Sequence, residues 1–386
     1  MAKLSRLVFG LVGICIVFLA AYFIMRPQTA TQNDTSNLLF GRSVYKQNNV
    51  VGETAYPGYQ ITFPKDHGSH DHFDIEWWYL TANLQDDSGN PYGLQWTLFR
   101  FRNPSPTGTQ IQDWHNSQIF MAHASIHSLD KHWFAEKFAR GGVGNAAVTT
   151  LPFSLFIDDW QWLNLESSTN LFPATLEFTA LDQSNLNKTP LKASFTIKQK
   201  GPFVLHGEEG FSVKSTSKHA SHYYSAPFIN IEGSITTSRG SNVGDSIALS
   251  GQAWFDHEWT SQLLDDSTEG WDWLSLHLED GSKIMAFRMR LKDQSDFITG
   301  SFITKAGEQI TLEPEDLLLQ STSTNKLDNK YLPLNWSLII PSQKINISIS
   351  TIKDEQWNNA LIPYYEGMVT IKGTHKGNGF LELTGY

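Results

Sequence analysis

The side chains best suited to chemistry gather in one stretch, Gly251 to Gly281, which reads GQAWFDHEWTSQ and then, from Glu269, EGWDWLSLHLEDG. Trp254, Trp259, Trp271 and Trp273 surround Asp256, His257, Glu258 and Asp272 there, and no other segment sets so many ionisable groups among so many large rings. An apolar wall withholds the solvation that a charge needs, so it raises a carboxyl pKa and can keep the acid protonated near neutral pH. The same wall shapes a pocket for an apolar ligand. The plainer reading is a core of strand tryptophans beside a solvated Asp-His-Glu turn.

Other candidates are weaker. FPKDHGSHDHFDIEWWY, Phe63 to Tyr79, offers His67, His70 and His72 as metal ligands with Asp66, Asp71 or Asp74, against the reading of a surface loop. Glu76 precedes Trp77, Trp78 and Tyr79; on a strand it shares a face with Trp78, and Arg100 or Arg102 on the following strand is its natural partner. His123 and His127 alternate at strand spacing in MAHASIHS, which suits hydrogen-bonded core or rim positions. GGVGNAA, Gly141 to Ala147, matches a dinucleotide fingerprint only by accident, because a strand follows it instead of a helix. The sequence contains no phosphate loop, no Gly-x-Ser-x-Gly elbow and no His-Glu-x-x-His.

The elements that must position these residues are strands. Of the residues, 40% are hydrophobic, 13% aromatic and 18% charged, the composition of a globular chain with a real core. The net charge of −10 opposes a nucleic-acid partner, and a single cysteine, Cys15, excludes internal disulfides and a thiol nucleophile in the soluble part. WWYLTANLQ, a turn from Asp86 to Gly93, and LQWTLFRFR read as strand, turn and strand. QIFMAHASIHS, SLFIDDWQWLNL, ATLEFTAL, KASFTIKQ, PFVLHG and SIALSGQAWF follow in the same style, and nothing shows sustained helical periodicity. The class is therefore all-β.

A weak internal repeat divides the chain. The segment from Trp77, WWYLTANLQDDSGNPYGLQWTLFRFR, matches WDWLSLHLEDGSKIMAFRMR from Trp271, each closing on Phe-Arg-x-Arg, with Arg100 and Arg102 answering Arg288 and Arg290. Two similar β domains are expected, over residues 51–220 and 221–386, with a last hairpin closing the second sheet. Ahead of them, residues 1–7 carry Lys3 and Arg6, residues 8–25 form an apolar run long enough to cross a membrane, and residues 26–50 read as a tether. Positive charge at that end places it in the cytoplasm and the domains in the periplasm, held by a single-pass inner-membrane anchor, or secreted if the segment is cleaved.

FPKDHGSHDHFDIEWWYLTANL, FMAHASI, SHYYSAP, SGQAWFDHEWTSQ, GWDWLSLHLEDG and the ending YYEGMVTIKG with GFLELTGY resemble, in that order, the AttH and carotenoid 1,2-hydratase (hydroxyneurosporene synthase) family of lipocalin-like secreted proteins. The resemblance runs from about Tyr56 to Tyr386. It implies two lipocalin-like antiparallel β-barrels, and it implies either hydration of the terminal double bond of an acyclic carotenoid or, as in AttH-like members described as secreted hydrolases, an unassigned activity. It also implies a neighbouring ABC transporter as partner, which would make the chain a carrier of an isoprenoid or lipid-like ligand.

Alkene hydration needs an acid that protonates carbon and a wall that shields the cation. Asp256 or Asp272 is the expected acid, with His257 orienting the attacking water. Trp259, Trp271 and Trp273 would stabilise the cation, and Glu76, Trp78 and His123 complete the expected ligand-binding set. This chemistry requires no cofactor and no metal.

Overall fold

The computed structural model describes residues 52–102, 118–142, 144–183, 188–215, 219–239, 242–261 and 267–386. The expected membrane segment at 8–25 and tether at 26–50 lie outside these residues. Among the described residues no helix is long and apolar enough to cross a membrane, and regular helix is confined to two short 3-10 turns, at Lys65–His67 and Pro341–Gln343.

The first sheet contains β1 (Ile75–Gln85), β2 (Pro91–Arg102), β3 (Gln118–Ser128), β4 (His132–Arg140), β5 (Ala146–Thr150), β6 (Phe153–Ile157), β7 (Trp160–Asn164), β8 (Ala174–Asp182), β9 (Pro190–Gln199), β10 (Val204–Leu205), β11 (Phe211–Val213), β12 (Ala220–Arg239) and β13 (Asn242–Thr260). Eight of them close a barrel: β12 pairs with β13, β13 with β1, then β2, β3, β4, β8 and β9 follow, and β9 pairs back to β12. The second sheet contains β14 (Thr268–Leu278), β15 (Lys283–Leu291), β16 (Phe297–Ile303), β17 (Gln309–Leu312), β18 (Leu318–Leu327), β19 (Lys330–Ile340), β20 (Ile345–Thr351), β21 (Trp357–Asn358), β22 (Tyr364–Gly373) and β23 (Gly377–Thr384). Its order runs from β17 through β14 and β23 to β18, and these two edge strands do not pair, so it is a curled half-barrel.

This corrects the expectation of a second closed barrel. The sheet also changes between Thr260 and Thr268, beyond the division expected at 220/221, because β12 and β13 are needed to close the first barrel. The terminal hairpin β22–β23 sits inside the second sheet, between β20 and β14, and not at its edge. SLFIDDWQWLNL is likewise two strands, since Asp158 takes the left-handed conformation (φ 51°) and folds β6 back onto β7.

The repeat survives as geometry. In the β1–β2 turn, Asp86 Oδ1 accepts the N–H groups of Ser88 and Asn90, both at 2.9 Å, and Gly89 supplies φ 82°. In the β14–β15 turn, Asp280 Oδ1 accepts the N–H of Ser282 at 2.9 Å, and Gly281 supplies φ 93°. Each hairpin therefore takes its register from an acidic turn that only glycine completes without strain.

Alternation then sends each strand's side chains into different layers. Trp78, Leu80 and Ala82 of β1 enter the core of the barrel, and Leu274 and Leu276 of β14 enter the core of the half-barrel. Tyr79, Trp254, Trp273, Met285, Phe287 and Phe380 form a third core on the outer faces, where the two sheets bury each other. Polar bridges cross this seam: Tyr79 Oη donates to both Glu366 oxygens at 2.9 Å, His206 meets Ser301 Oγ at 2.9 Å, and His132 meets Asn358 Oδ1 at 3.0 Å. Replacing Tyr79 by Phe leaves Glu366 buried without these contacts. The variant is expected to lose about 1–3 kcal/mol in urea unfolding.

Candidate active site at the seam

Strand β13 separates the residues of its central motif by parity. Trp254, Asp256 and Glu258 face the seam, whereas Phe255, His257 and Trp259 face the interior of the barrel. The seam face lines a pocket walled by Trp77, Tyr79, Phe99 and Met121 from the barrel and by Trp271, Trp273, Phe287 and Met289 from the half-barrel. Besides the phenols of Tyr79, Tyr223 and Tyr364, its ionisable groups are Asp256, Glu258, Lys214, His123 and Glu382.

Asp256 is 3% exposed. Its Oδ1 accepts hydrogen bonds from Trp254 Nε1 at 2.7 Å, from Tyr223 Oη at 3.0 Å and from Ser225 Oγ. Burial nevertheless outweighs these donors and pushes its carboxyl up to about 7. With three donors on Oδ1, the proton belongs on Oδ2. Glu382, across the pocket, accepts from Trp271 Nε1 at 2.6 Å and is also pushed up to about 7 by burial. Behind it Glu366 lies directly opposite Glu382 in the β22–β23 register, and burial together with that neighbour raises it well above the usual carboxylate range.

Glu258 has a cation instead. Lys214 Nζ lies 3.0 Å from its Oε1 and also sits 4.3 Å from the Tyr223 ring centre. His123 is held at the wall by Tyr364 Oη at 3.2 Å and Glu136 Oε1 at 2.9 Å. The pocket thus joins aromatic faces and two acids whose carboxyls burial pushes up to about 7. That arrangement suits proton transfer to an apolar substrate and stabilisation of a transient cation.

The structure brings together Asp256, His123, Trp271 and Trp273 of the expected site and places the remainder elsewhere. His257 is fully buried inside the barrel, with Nε2 2.8 Å from Glu76 Oε1 and Nδ1 3.2 Å from Tyr224 Oη, so it does not orient water beside Asp256. Burial holds it neutral, at about 4. Trp78 stacks on His257 at 4.6 Å and Trp259 on His70 at 3.8 Å, both within the barrel. Burial opposes charge on Glu76 as well, but His70 and Arg100 outweigh it and hold its carboxyl well below the usual range.

Asp272 lies in the half-barrel interior, where Arg288 approaches to 2.6 Å, Arg290 to 3.6 Å, and Tyr386 Oη donates at 2.8 Å. Its counterpart in the repeat is Glu76: Glu76 is paired with Arg100 and Asp272 with Arg288 in the strand registers, each a buried acid on the first arginine of Arg-x-Arg. Of the histidine-loop residues, His70 and Asp66 come together at 3.3 Å, His67 turns to Tyr224, His72 and Asp71 are exposed, and Asp74 pairs with Arg102.

Glu382, Glu366, Tyr79, Tyr223 and Lys214 were absent from the expected site. Strand parity would have grouped Glu258 with Asp256, but nothing local announces that the C-terminal GFLELTGY faces the same pocket.

A family model described as AttH-like matches residues 54–386. The chain belongs to the AttH-like family. It is similar to the crystal structure of an AttH protein from Nitrosomonas europaea, at 29% identity and a TM-score of 0.74, over 86% of this chain and 99% of that one. It also shares its fold with kievitone hydratase from Nectria haematococca (16% identity, TM-score 0.60, 87% and 95% covered) and with CghA bound to Sch210972 (12% identity, TM-score 0.50, 87% and 94% covered). No curated protein matches the sequence. The lipocalin-like architecture of this AttH-like chain is therefore shared by proteins of quite different sequence.

Two predictions separate the acids. Replacing Asp272 by Ala strands Arg288 and Arg290 in the half-barrel interior and is expected to cost about 3–5 kcal/mol in urea unfolding. Asp256 is different in sign. It binds its proton more tightly in the folded chain, at about 7, than in an unfolded chain, near 4. Its contribution to stability is therefore complete below about pH 4 and is lost as pH rises through about 7. Asp256→Asn is expected to flatten the fall of Tm between those pH values, in thermal melts across that range, leaving the shares of Glu382, Glu366 and Asp272, whose carboxyls burial also raises.

Proposed function

We propose that this AttH-like chain binds the end of an apolar, isoprenoid or lipid-like ligand between its two sheets and hydrates a carbon–carbon double bond there, in the manner of a carotenoid 1,2-hydratase. The observation that carries the reading is Asp256: a buried carboxyl at about 7, with its donors on one oxygen, facing aromatic rings. The proton on Oδ2 passes to the less substituted alkene carbon as the π pair forms the new C–H bond. Positive charge develops on the tertiary carbon, against the faces of Trp271, Trp273 and Tyr79, each worth about 1–2 kcal/mol when desolvated. Water adds to that carbon and gives a proton back to Asp256, so that the acid ends as it began and the net change is one water gained. A hydratase with the same fold supports the reading.

A non-catalytic carrier would use the same pocket without the proton transfer, held at the inner membrane by residues 8–25 and serving an ABC transporter. The two differ in one assay, in which the purified full-length chain is incubated with lycopene or neurosporene and products are weighed by mass spectrometry. A product heavier by one water is expected. Its rate should fall as pH rises through about 7, because the protonated form of Asp256 is the active one. Asp256→Asn should reduce it at least a hundredfold, the lower end of what a general acid contributes, roughly 10²–10⁴. Saturable quenching of tryptophan fluorescence by these ligands with no product would remove the hydratase reading for them and leave the carrier.

A further inference from the structure

On the opposite face of β13 from Asp256, the interior end of the barrel gathers a different constellation. His70 Nδ1 lies 2.6 Å and His257 Nε2 lies 2.8 Å from the same oxygen, Glu76 Oε1. We propose that His70, Glu76 and His257 form a binding site for a divalent first-row transition-metal ion. Donor atoms of the three residues lie within 4.8 Å of one another. An ion about 2.0–2.2 Å from each donor fits once the contacts open by a few tenths of an ångström. Two imidazoles and one carboxylate are the donor set that zinc and iron sites with open coordination positions use.

The groups around these donors carry the inference further than the triad does. A ligating histidine keeps its other ring nitrogen on a carboxylate, carbonyl or hydroxyl, which fixes the tautomer and aims the free lone pair. His70 Nε2 faces Asp66 Oδ1 at 3.3 Å, and Asp66 is itself fixed by the Thr62 N–H at 2.7 Å and by Tyr59 Oη at 3.1 Å. His257 Nδ1 faces Tyr224 Oη at 3.2 Å, and that hydroxyl has a second partner in His67 Nδ1 at 2.8 Å. Glu76 Oε2 accepts from Arg100 Nε and from the His70 backbone N–H, both at 2.8 Å, which leaves Oε1 to point between the two imidazoles. Every donor thus has its far side anchored and its near side directed at one point. Glu76 and His257 are fully buried, while the His70 side chain keeps 12% of its surface exposed and marks the way in. The site is independent of the pocket reading, since no residue of the triad lines the pocket.

The experiment uses the full-length chain without a histidine tag, stripped with chelator and titrated with Zn2+ and Co2+. One equivalent of either ion is expected to bind, with Co2+ giving the intense visible bands of a four- or five-coordinate site. His257→Gln should abolish binding, His72→Ala should leave it unchanged, and Tyr224→Phe, which touches no ion, should weaken it about 10–100-fold. Failure of the unaltered chain to bind either ion stoichiometrically would overturn the proposal, as would undiminished binding in His70→Asn and His257→Gln. If those variants do not fold, the Co2+ spectrum of the unaltered chain decides: weak bands of a six-coordinate aquo ion count against the site.

Discussion

Burial of both faces of the strands where the barrel meets the half-barrel is the constraint on which the remaining features depend. In an open antiparallel sheet, alternate side chains reach water and a polar residue costs little. Here β1 as far as Leu84, β13 from Ala253 and β14 from Gly270 have a core on one side and the seam on the other, so neither parity offers open solvent. A charge placed on these strands must be paired, hydrogen-bonded or neutralised by a proton.

All three solutions occur. Glu76 and Asp272 are paired with arginines inside their own sheets, and Glu258 is paired with Lys214 at the seam. Asp256, Glu366 and Glu382 have hydrogen-bond donors but no close cation, and they take up protons instead. The first group stabilises the fold only as long as both partners are present. Within the second, Asp256 and Glu382 are poised for acid chemistry because burial pushes their carboxyls up to about 7. One constraint therefore acts on every acid here, and the balance between burial and neighbouring cations sets each outcome: His70 and Arg100 hold Glu76 low, whereas burial raises Asp272 even beside Arg288 and Arg290.

Parity along β13 gives the chain two distinct chemical environments from consecutive residues. Asp256 faces aromatic rings at the seam, and His257 faces Glu76, His70 and Tyr224 in the barrel. The same DHEW motif that reads as one catalytic cluster serves two places separated by the thickness of a sheet. A strand admits no other outcome, since its side chains have period two.

Much of this was legible in the residues. The all-β class, the hairpins after Trp77 and Trp271, the partnership of Glu76 with an arginine on the next strand, and the aromatic character of the site follow from alternation, turn chemistry and composition, which are local. The family followed from ordered motif blocks. Closure was not legible: the first sheet takes β12 and β13 back to β1 and β9, and the second stays open, because strand pairing over such separations depends on packing across the whole layer. The company each acid keeps was not legible either. Glu382 joins Asp256, and His70 joins His257, only through contacts between distant segments, and it is those contacts that set burial, pKa and the direction of each lone pair. The sequence by itself determined which residues could carry chemistry, since identity and spacing are local. Only the tertiary structure decided which of them meet, since solvation and pairing belong to the assembled layers.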